Sequence, residues 1–268
     1  MAARSTKTSV VDPEVVVRGD VAGRQVDAAV AKLRAACATA PRPILFARLL
    51  LAIEQDPALE RPAVAKATVD VSGRVVRAHV ACPTMDEAVD RLVDRVRHGI
   101  RLLAERRRDA PRQSGVPSPG EWRHGDLPTD RPPYYPRPVE ERRLVRTKSV
   151  SIGRILPEEA AFEMRVLDHD FHLYTDAGTG TDCLIHRTED GGHALVSPDP
   201  EVGRGPGGEP PELPISLAPR MALADALSAL DASGAPFVAF VDAERGRLQV
   251  AYRRYDGHHG LLAPADAA

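Results

Sequence analysis

A chain of 268 residues with 4% aromatic residues, 28% charged residues and a formal net charge of −2 has room for two or three modest domains with small aliphatic cores. No run approaches 18 apolar residues, the start of the chain lacks a leader-type apolar core, and the three cysteines (Cys37, Cys82, Cys183) are widely spaced and odd in number. These features argue against a membrane span, a disulfide framework and a cysteine zinc site, and lead us to expect a soluble, cytoplasmic protein.

The charge is unevenly divided. Residues 1–108 carry nineteen Lys and Arg against thirteen Asp and Glu, whereas residues 144–268 carry eleven against nineteen. A basic first block and an acidic last block imply different partners, a polyanion for one and protein for the other.

In chain order, EVVVRGDV (14–21) reads as a short strand. GRQVDAAVAKLRAAC (23–37) places Val26, Val30, Leu33 and Cys37 at helical spacing. ILFARLLLAIEQ (44–55) and AVAKATVDV (63–71) read as strands, and SGR (72–74) turns the chain into VVRAHVAC (75–82). The stretch 83–108 starts with Thr84 as N-cap and Glu87 three residues later, a capping box, and buries Met85, Val89, Leu92, Val96, Ile100 and Leu103. The expected fold class is α+β, with an N-terminal β-α-β-β-β-α domain (1–108) that has both helices on one face of a four-stranded sheet.

Residues 109–143 are rich in proline and lack apolar periodicity, so they read as an extended linker. Beyond it, residues 144–198 and 213–268 align without a gap at an offset of 66 around a second linker, 199–212. Identical pairs include Ala160/Ala226, Phe171/Phe237, Asp176/Asp242, Gly180/Gly246, Arg187/Arg253, Asp190/Asp256, His193/His259 and Pro198/Pro264. This is an internal repeat of a β-α-β-β-β unit. Each copy is marginal alone, and its sheet is apolar on both faces: Phe237 and Ala239 point one way, Val238 and Phe240 the other. One helix covers one face, so the sister copy is expected to cover the other and form a pseudo-dimer. Phe171, Ile185, Phe237, Val250 and Tyr252 are its expected interface.

Seven arginines and His98 lie between residues 91 and 108. A solvated helix face would account for such a series in isolation. Arg91, Arg95, Arg97, His98 and Arg101 are joined in the same block by Lys32, Arg34, Arg74 and Arg77, which favours binding to a phosphate backbone. HDFH (169–172) reads as a helix exit rather than a metal site, GTGTD (178–182) as a hairpin turn, and His258 and His259 as surface loop. No nucleophile elbow or other catalytic spacing is present, so no enzyme, cofactor, metal or small-molecule substrate is expected.

MDEAVDRLVDRVRHGIRLL (85–103) resembles the second helix of the N-terminal domain of ribosome hibernation promoting factors, also called the sigma-54 modulation or ribosome-associated inhibitor family. LVRTKSVSI with PEEAAFEMRVLDHDFHLYTDAGTG, and VAYRRYDGHHGLLAP, resemble the opening and ending of the C-terminal domain of the family's long form. The type implied is the actinobacterial one with two tandem C-terminal domains. The resemblance implies a translation silencer whose N-terminal domain sits in the small-subunit channel for messenger and transfer RNA, on 16S ribosomal RNA. Arg95 and Arg101 fall on family basic positions, His98 stands where arginine is usual, and RGDVAG (18–23) replaces the family's Gly-Arg-Asn. The family's C-terminal domain self-associates and ties two ribosomes together, whereas tandem copies in one chain are expected to pair internally. The competing reading is a regulator that binds other RNA or a protein surface.

Overall fold

The computed structural model describes residues 11–55, 59–109, 134–203 and 213–265, and the side chains of 106–109 lie outside that description. The chain divides into two compact units, Met1–Pro133 with Arg165–His169, and Tyr134–Met164 with Asp170–Ala268.

The first unit has the expected order: β1 (Glu14–Arg18), α1 (Gly23–Cys37), β2 (Ile44–Ile53), β3 (Ala63–Val71), β4 (Arg74–Cys82) and α2 (Met85–Asp109). The strands form one sheet in sequence order, with β1 parallel to β2 and the others antiparallel. Alternation decides which side chains meet the helices. Ala47, Leu49 and Leu51 of β2, Ala65, Ala67 and Val69 of β3, and Val76, Ala78 and Val80 of β4 are almost fully buried. The helices pack on one another and α2 lies on β3 and β4. The alanines keep this layer thin, and α2 approaches β4 closely at Gly99, where an added Cβ would lie 2.5 Å from Val76 Cγ1. At the start of α2 the Glu87 amide donates to Thr84 Oγ1 (3.3 Å), one half of the expected capping box. The Glu87 carboxylate, however, accepts from Arg91 (2.6 Å). The two-residue turn between β3 and β4 is formed by Ser72 and Gly73, both at positive φ, and Asp70 Oδ1 accepts from the Gly73 amide (2.6 Å).

The second unit contains β5 (Leu144–Val150), β6 (Arg154–Ile155), α3 (Pro157–Val166) except its last two residues, β7 (Phe171–Asp176), β8 (Asp182–Arg187) and β9 (His193–Ser197). The second copy follows as β10 (Ile215–Leu217), β11 (Arg220–Met221), α4 (Leu223–Ser233), β12 (Phe237–Asp242), β13 (Leu248–Arg253) and β14 (His259–Pro264). Each copy carries a short strand before its helix that the sequence reading did not separate.

The sheets do not follow the copy boundaries. Their orders are β10-β9-β8-β7-β6 and β11-β12-β13-β14-β5. The opening strand of each copy completes the other copy's sheet: β5 runs parallel to β14, and β10 parallel to β9. Residues 144–198 and 213–268 are therefore sequence repeats but not separate folding modules.

Three apolar clusters set the layers. Ala160, Ala161 and Met164 of α3 pack on Tyr174, Cys183, Ile185 and Leu195, with Ile215 of the exchanged strand at the margin. Ala226 and Leu230 of α4 pack on Phe240, Ala251 and Leu261, with Leu144 of the other exchanged strand at the margin. Between the sheets, Leu173 and Leu184 meet Ala239, Val241, Leu248 and Val250, flanked by Phe171, Val196, Phe237 and Leu262. The order is helix, sheet, sheet, helix.

Of the expected linker 109–143, residues 110–133 lie outside the described residues, as do 204–212 of the linker 199–212. Residues 134–143 pack on the second copy. The Tyr135 amide donates to Tyr255 O (2.9 Å), the Tyr134 ring stacks on Tyr255, and Arg137 Nε donates to Asp256 O (3.2 Å). Gly257, at φ +78, permits this approach, because an added Cβ would lie 2.7 Å from Tyr135 O.

Candidate nucleic-acid interface

The basic residues of the first unit do not form one patch. Arg91, Arg97 and Arg101 are exposed on α2, each beside an acid one turn away: Arg91 with Glu87, Arg97 with Asp94 (3.2 Å) and Arg101 with Glu105 (3.7 Å). The Arg101 guanidinium also lies 2.8 Å from His98 Nδ1, and His98 is half-buried. On α1, Lys32 is exposed and pairs with Asp90 of α2, while Arg34 pairs with Asp12. Arg74 lies at the β3–β4 turn, and Arg77 is exposed on the sheet face away from the helices. Among the described residues neither of these two has an acidic partner.

Arg95 departs from the expected exposed row. It is 8% exposed, and its guanidinium donates to Asp168 Oδ1 (2.7 Å), a residue of the 165–169 segment that belongs to the same compact unit. Asp168 also accepts from the His79 amide (2.9 Å). A buried, paired guanidinium has no free fork for a phosphate. The exposed cations of the helices are thus Arg91, Arg97 and Arg101 of α2 with Arg24, Lys32 and Arg34 of α1.

The residues expected between the copies separate into two groups. Phe171 and Phe237 are in contact (ring centroids 5.0 Å), Tyr252 lies 6.1 Å from Phe171, and Val250 is fully buried among the side chains between the sheets. Ile185 does not belong there: it faces α3, and its neighbour Leu184 takes the intersheet position. Sequence reasoning also missed the polar link between the copies, where Arg247 Nε and Nη2 donate to the largely buried Asp182 carboxylate (2.5 and 3.2 Å). It carries no signal in the repeat, because the residue 66 positions after Asp182 is Leu248.

His259, expected in a surface loop, is 3% exposed; its Nε2 lies 2.9 Å from Asp231 Oδ1, which also accepts from Arg142 (2.6 Å). Burial opposes ionisation of Asp231, and Arg142 and His259 more than offset it, so the carboxyl is held below its ordinary range. His172 pairs with Glu163 (3.2 Å), and GTGTD is a hairpin turn in which Asp176 accepts from Thr179 and Gly180. Burial raises the Cys37 thiol to about 11 and the Cys183 thiol to about 12, so both are neutral near pH 7 and unsuited to thiolate chemistry. Among the described residues no group of three or more His, Cys, Asp or Glu is placed to hold a metal, and no helix is long and apolar enough to cross a membrane.

These features define a two-unit α+β protein: a β-α-β-β-β-α domain with a cationic helix surface, and a sandwich of two copies of one small domain. Residues 139–195 and 216–261 each match the family model described as Sigma 54 modulation/S30EA ribosomal protein C terminus. Both copies of the sandwich are thus similar to the C-terminal domain that this family model describes.

The chain is similar to the dormancy associated translation inhibitor of Mycobacterium tuberculosis, at 35% identity over 144 residues, covering 50% of this chain and 52% of that protein in each of two strains. It is similar to the ribosome hibernation promotion factor of Lactococcus lactis subsp. cremoris at 26% identity, over 51% of this chain and 72% of that protein. The match thus spans about half the length of the mycobacterial relative. Among solved structures, the Protein Y N-terminal domain of Thermus thermophilus aligns with 35% of this chain and 99% of its own, at 20% identity and a TM-score of 0.30.

Proposed function

We propose that this chain is a ribosome hibernation factor of the cytoplasm. Its N-terminal domain occupies the small-subunit channel for messenger and transfer RNA and silences translation under stress, without catalysis or a cofactor. The observation that carries the reading is a tandem pair of sigma 54 modulation/S30EA C-terminal domains behind a basic β-α-β-β-β-α domain, in a chain whose relatives include a translation inhibitor and a hibernation promotion factor.

The binding mode follows from the exposed helix cations. Their ion pairs with acids one turn away are solvent-exposed and each contributes about 0.2–0.5 kcal/mol. A phosphate competes readily for such a guanidinium, because its fork matches phosphate oxygens and binding releases condensed counterions. Arg91, Arg97 and Arg101 with Lys32 are the proposed contacts to 16S ribosomal RNA, His98 a lesser one, and Arg34 and Arg74 peripheral ones. Arg95 positions the helix rather than touching RNA.

The C-terminal copies pair within one chain in this reading. The side chains shared between the sheets and the exchanged strands support it, since both use surface that a second chain would otherwise cover. The protein then silences single ribosomes and does not join two of them.

Co-sedimentation with purified small subunits at low and high salt tests the proposal. The expected result is near-stoichiometric binding at low salt that weakens steeply as salt rises. Binding to small subunits no tighter than to unrelated RNA, or none at low salt, would transfer the chain to the alternative reading of a general RNA-binding or protein-interaction regulator.

A further inference from the structure

The sheet face of the first unit turned away from its helices carries an exposed ring and three exposed cations. Phe46, Arg48, Lys66, Thr68 and Arg77 alternate with residues buried under α1 and α2, so all five project from the opposite face. Arg48, Thr68 and Arg77 form one rung across β2, β3 and β4, placing the two arginine positions about 9.6 Å apart, while Phe46 precedes Arg48 by roughly 6.6 Å along β2. Phe46 sits beside the register shift between Ile44 and Phe46 and is 41% exposed. Of the five phenylalanines it alone is exposed.

The electrostatics of this face differ from those of α2. Arg77 has no acidic partner among the described residues, and Arg48 meets Glu14 only at 3.9 Å, with both side chains about half exposed. Asp70, the other acid in this register, is turned toward the Gly73 amide.

We propose that this face is a separate binding site for single-stranded RNA, with one unpaired base stacked on Phe46 and adjoining phosphates held by Arg48 and Arg77. The far end of this face buries Ala52, Val64 and Ala81, and at its exposed end an aromatic ring beside guanidinium forks fits a π-face and a backbone charge at the same time. A duplex does not fit, because its bases are stacked inside and only its phosphates reach a flat surface. An apolar protein segment fits less well, since it would bury Arg77, which has no acidic partner among the described residues. The site is independent of the ribosome reading and lies on the other side of the sheet from α2.

The test uses the full-length chain and fluorescence anisotropy with a labelled 12-nucleotide oligouridylate and a 12-base-pair RNA duplex. Phe46→Ala should weaken oligouridylate binding roughly 5- to 100-fold and leave duplex binding unchanged. Phe46→Trp should restore the affinity, whereas Phe46→Leu, which keeps apolar bulk without a ring, should not. Arg97→Ala with Arg101→Ala should weaken small-subunit co-sedimentation and spare oligouridylate, so failure of this site and failure of the ribosome reading are separately visible. Wild-type oligouridylate affinity in Phe46→Ala, or equal rescue by Leu and Trp, would overturn the proposal and leave an apolar protein contact as the use of the face.

Discussion

Replacing Ile185 with alanine tests whether the second unit folds as one body. Ile185 is fully buried on β8, the middle strand of its sheet, and packs against α3 within the first copy. The substitution removes three carbons from a close-packed site, for a loss of about 2–5 kcal/mol. Two separately folding repeats would confine that loss to β7, β8 and β9. The strand exchange forbids this. When the first sheet opens, β10 loses β9, and the side chains of β12 and β13 lose Leu173 and Leu184 across the layer. Native-state hydrogen exchange read by peptide mass spectrometry is the assay, because it reports each strand separately in the intact chain. The slowest amides of β12 and β13 should lose protection by the same factor as those of β7 and β8, about 30-fold at the lower bound of 2 kcal/mol. The mirror substitution, Phe240→Ala under α4, should act on β7 and β8 in the same way. Unchanged protection in β12 and β13 after Ile185→Ala would refute the single-body reasoning.

Three further outcomes follow from particular contacts. Gly99→Ala should lower the thermal midpoint of the first unit even though alanine gains about 1 kcal/mol of helix propensity, because overpacking against Val76 costs about 1–3 kcal/mol, and adding Val76→Ala should restore much of the loss. Arg97→Ala and Arg101→Ala should each reduce the magnitude of the salt slope of small-subunit binding by about 0.7–0.9 with the fold intact by circular dichroism, whereas Arg95→Ala should destabilise the chain instead. The Asp231 carboxyl has a folded pKa below its unfolded value, so its contribution to stability is complete above the ordinary carboxylate range and is lost as pH falls through the folded value; Asp231→Asn should flatten the acid limb of a urea-midpoint against pH curve.

How much was legible in the sequence depended on whether the signal was local. The alternation of AVAKATVDV gave β3 its ends and its faces, and Thr84 marked the start of α2, because these depend on neighbours within a few residues. The repeat phase put Phe237 and Ala239 on one face and Val238 and Phe240 on the other, as found. Alternation fixes the faces of a strand but not its partner, so the exchange of β5 and β10 left no mark in sequence. In DCLIHR three consecutive apolar residues blur the phase, which is why Ile185 was assigned to the wrong layer. The burial of Arg95 depends on Asp168, 73 residues away, and helical spacing alone places it beside exposed arginines. Phe46, Arg48 and Arg77 are in phase within their own strands, yet they become neighbours only once the β2–β3–β4 register is known.

The account as a whole rests on what the intact chain does to ribosomes. The direct measurement is a sucrose gradient of 70S ribosomes and free subunits with a saturating amount of full-length protein at low salt, each fraction probed for the chain. The account predicts that the chain travels with the small subunit and with single ribosomes, that a peak of paired ribosomes does not grow, and that Arg97→Ala with Arg101→Ala moves the chain toward the top of the gradient. A chain that stays at the top with every ribosomal fraction unchanged would contradict ribosome binding, and a growing peak of paired ribosomes would contradict internal pairing of the two C-terminal copies.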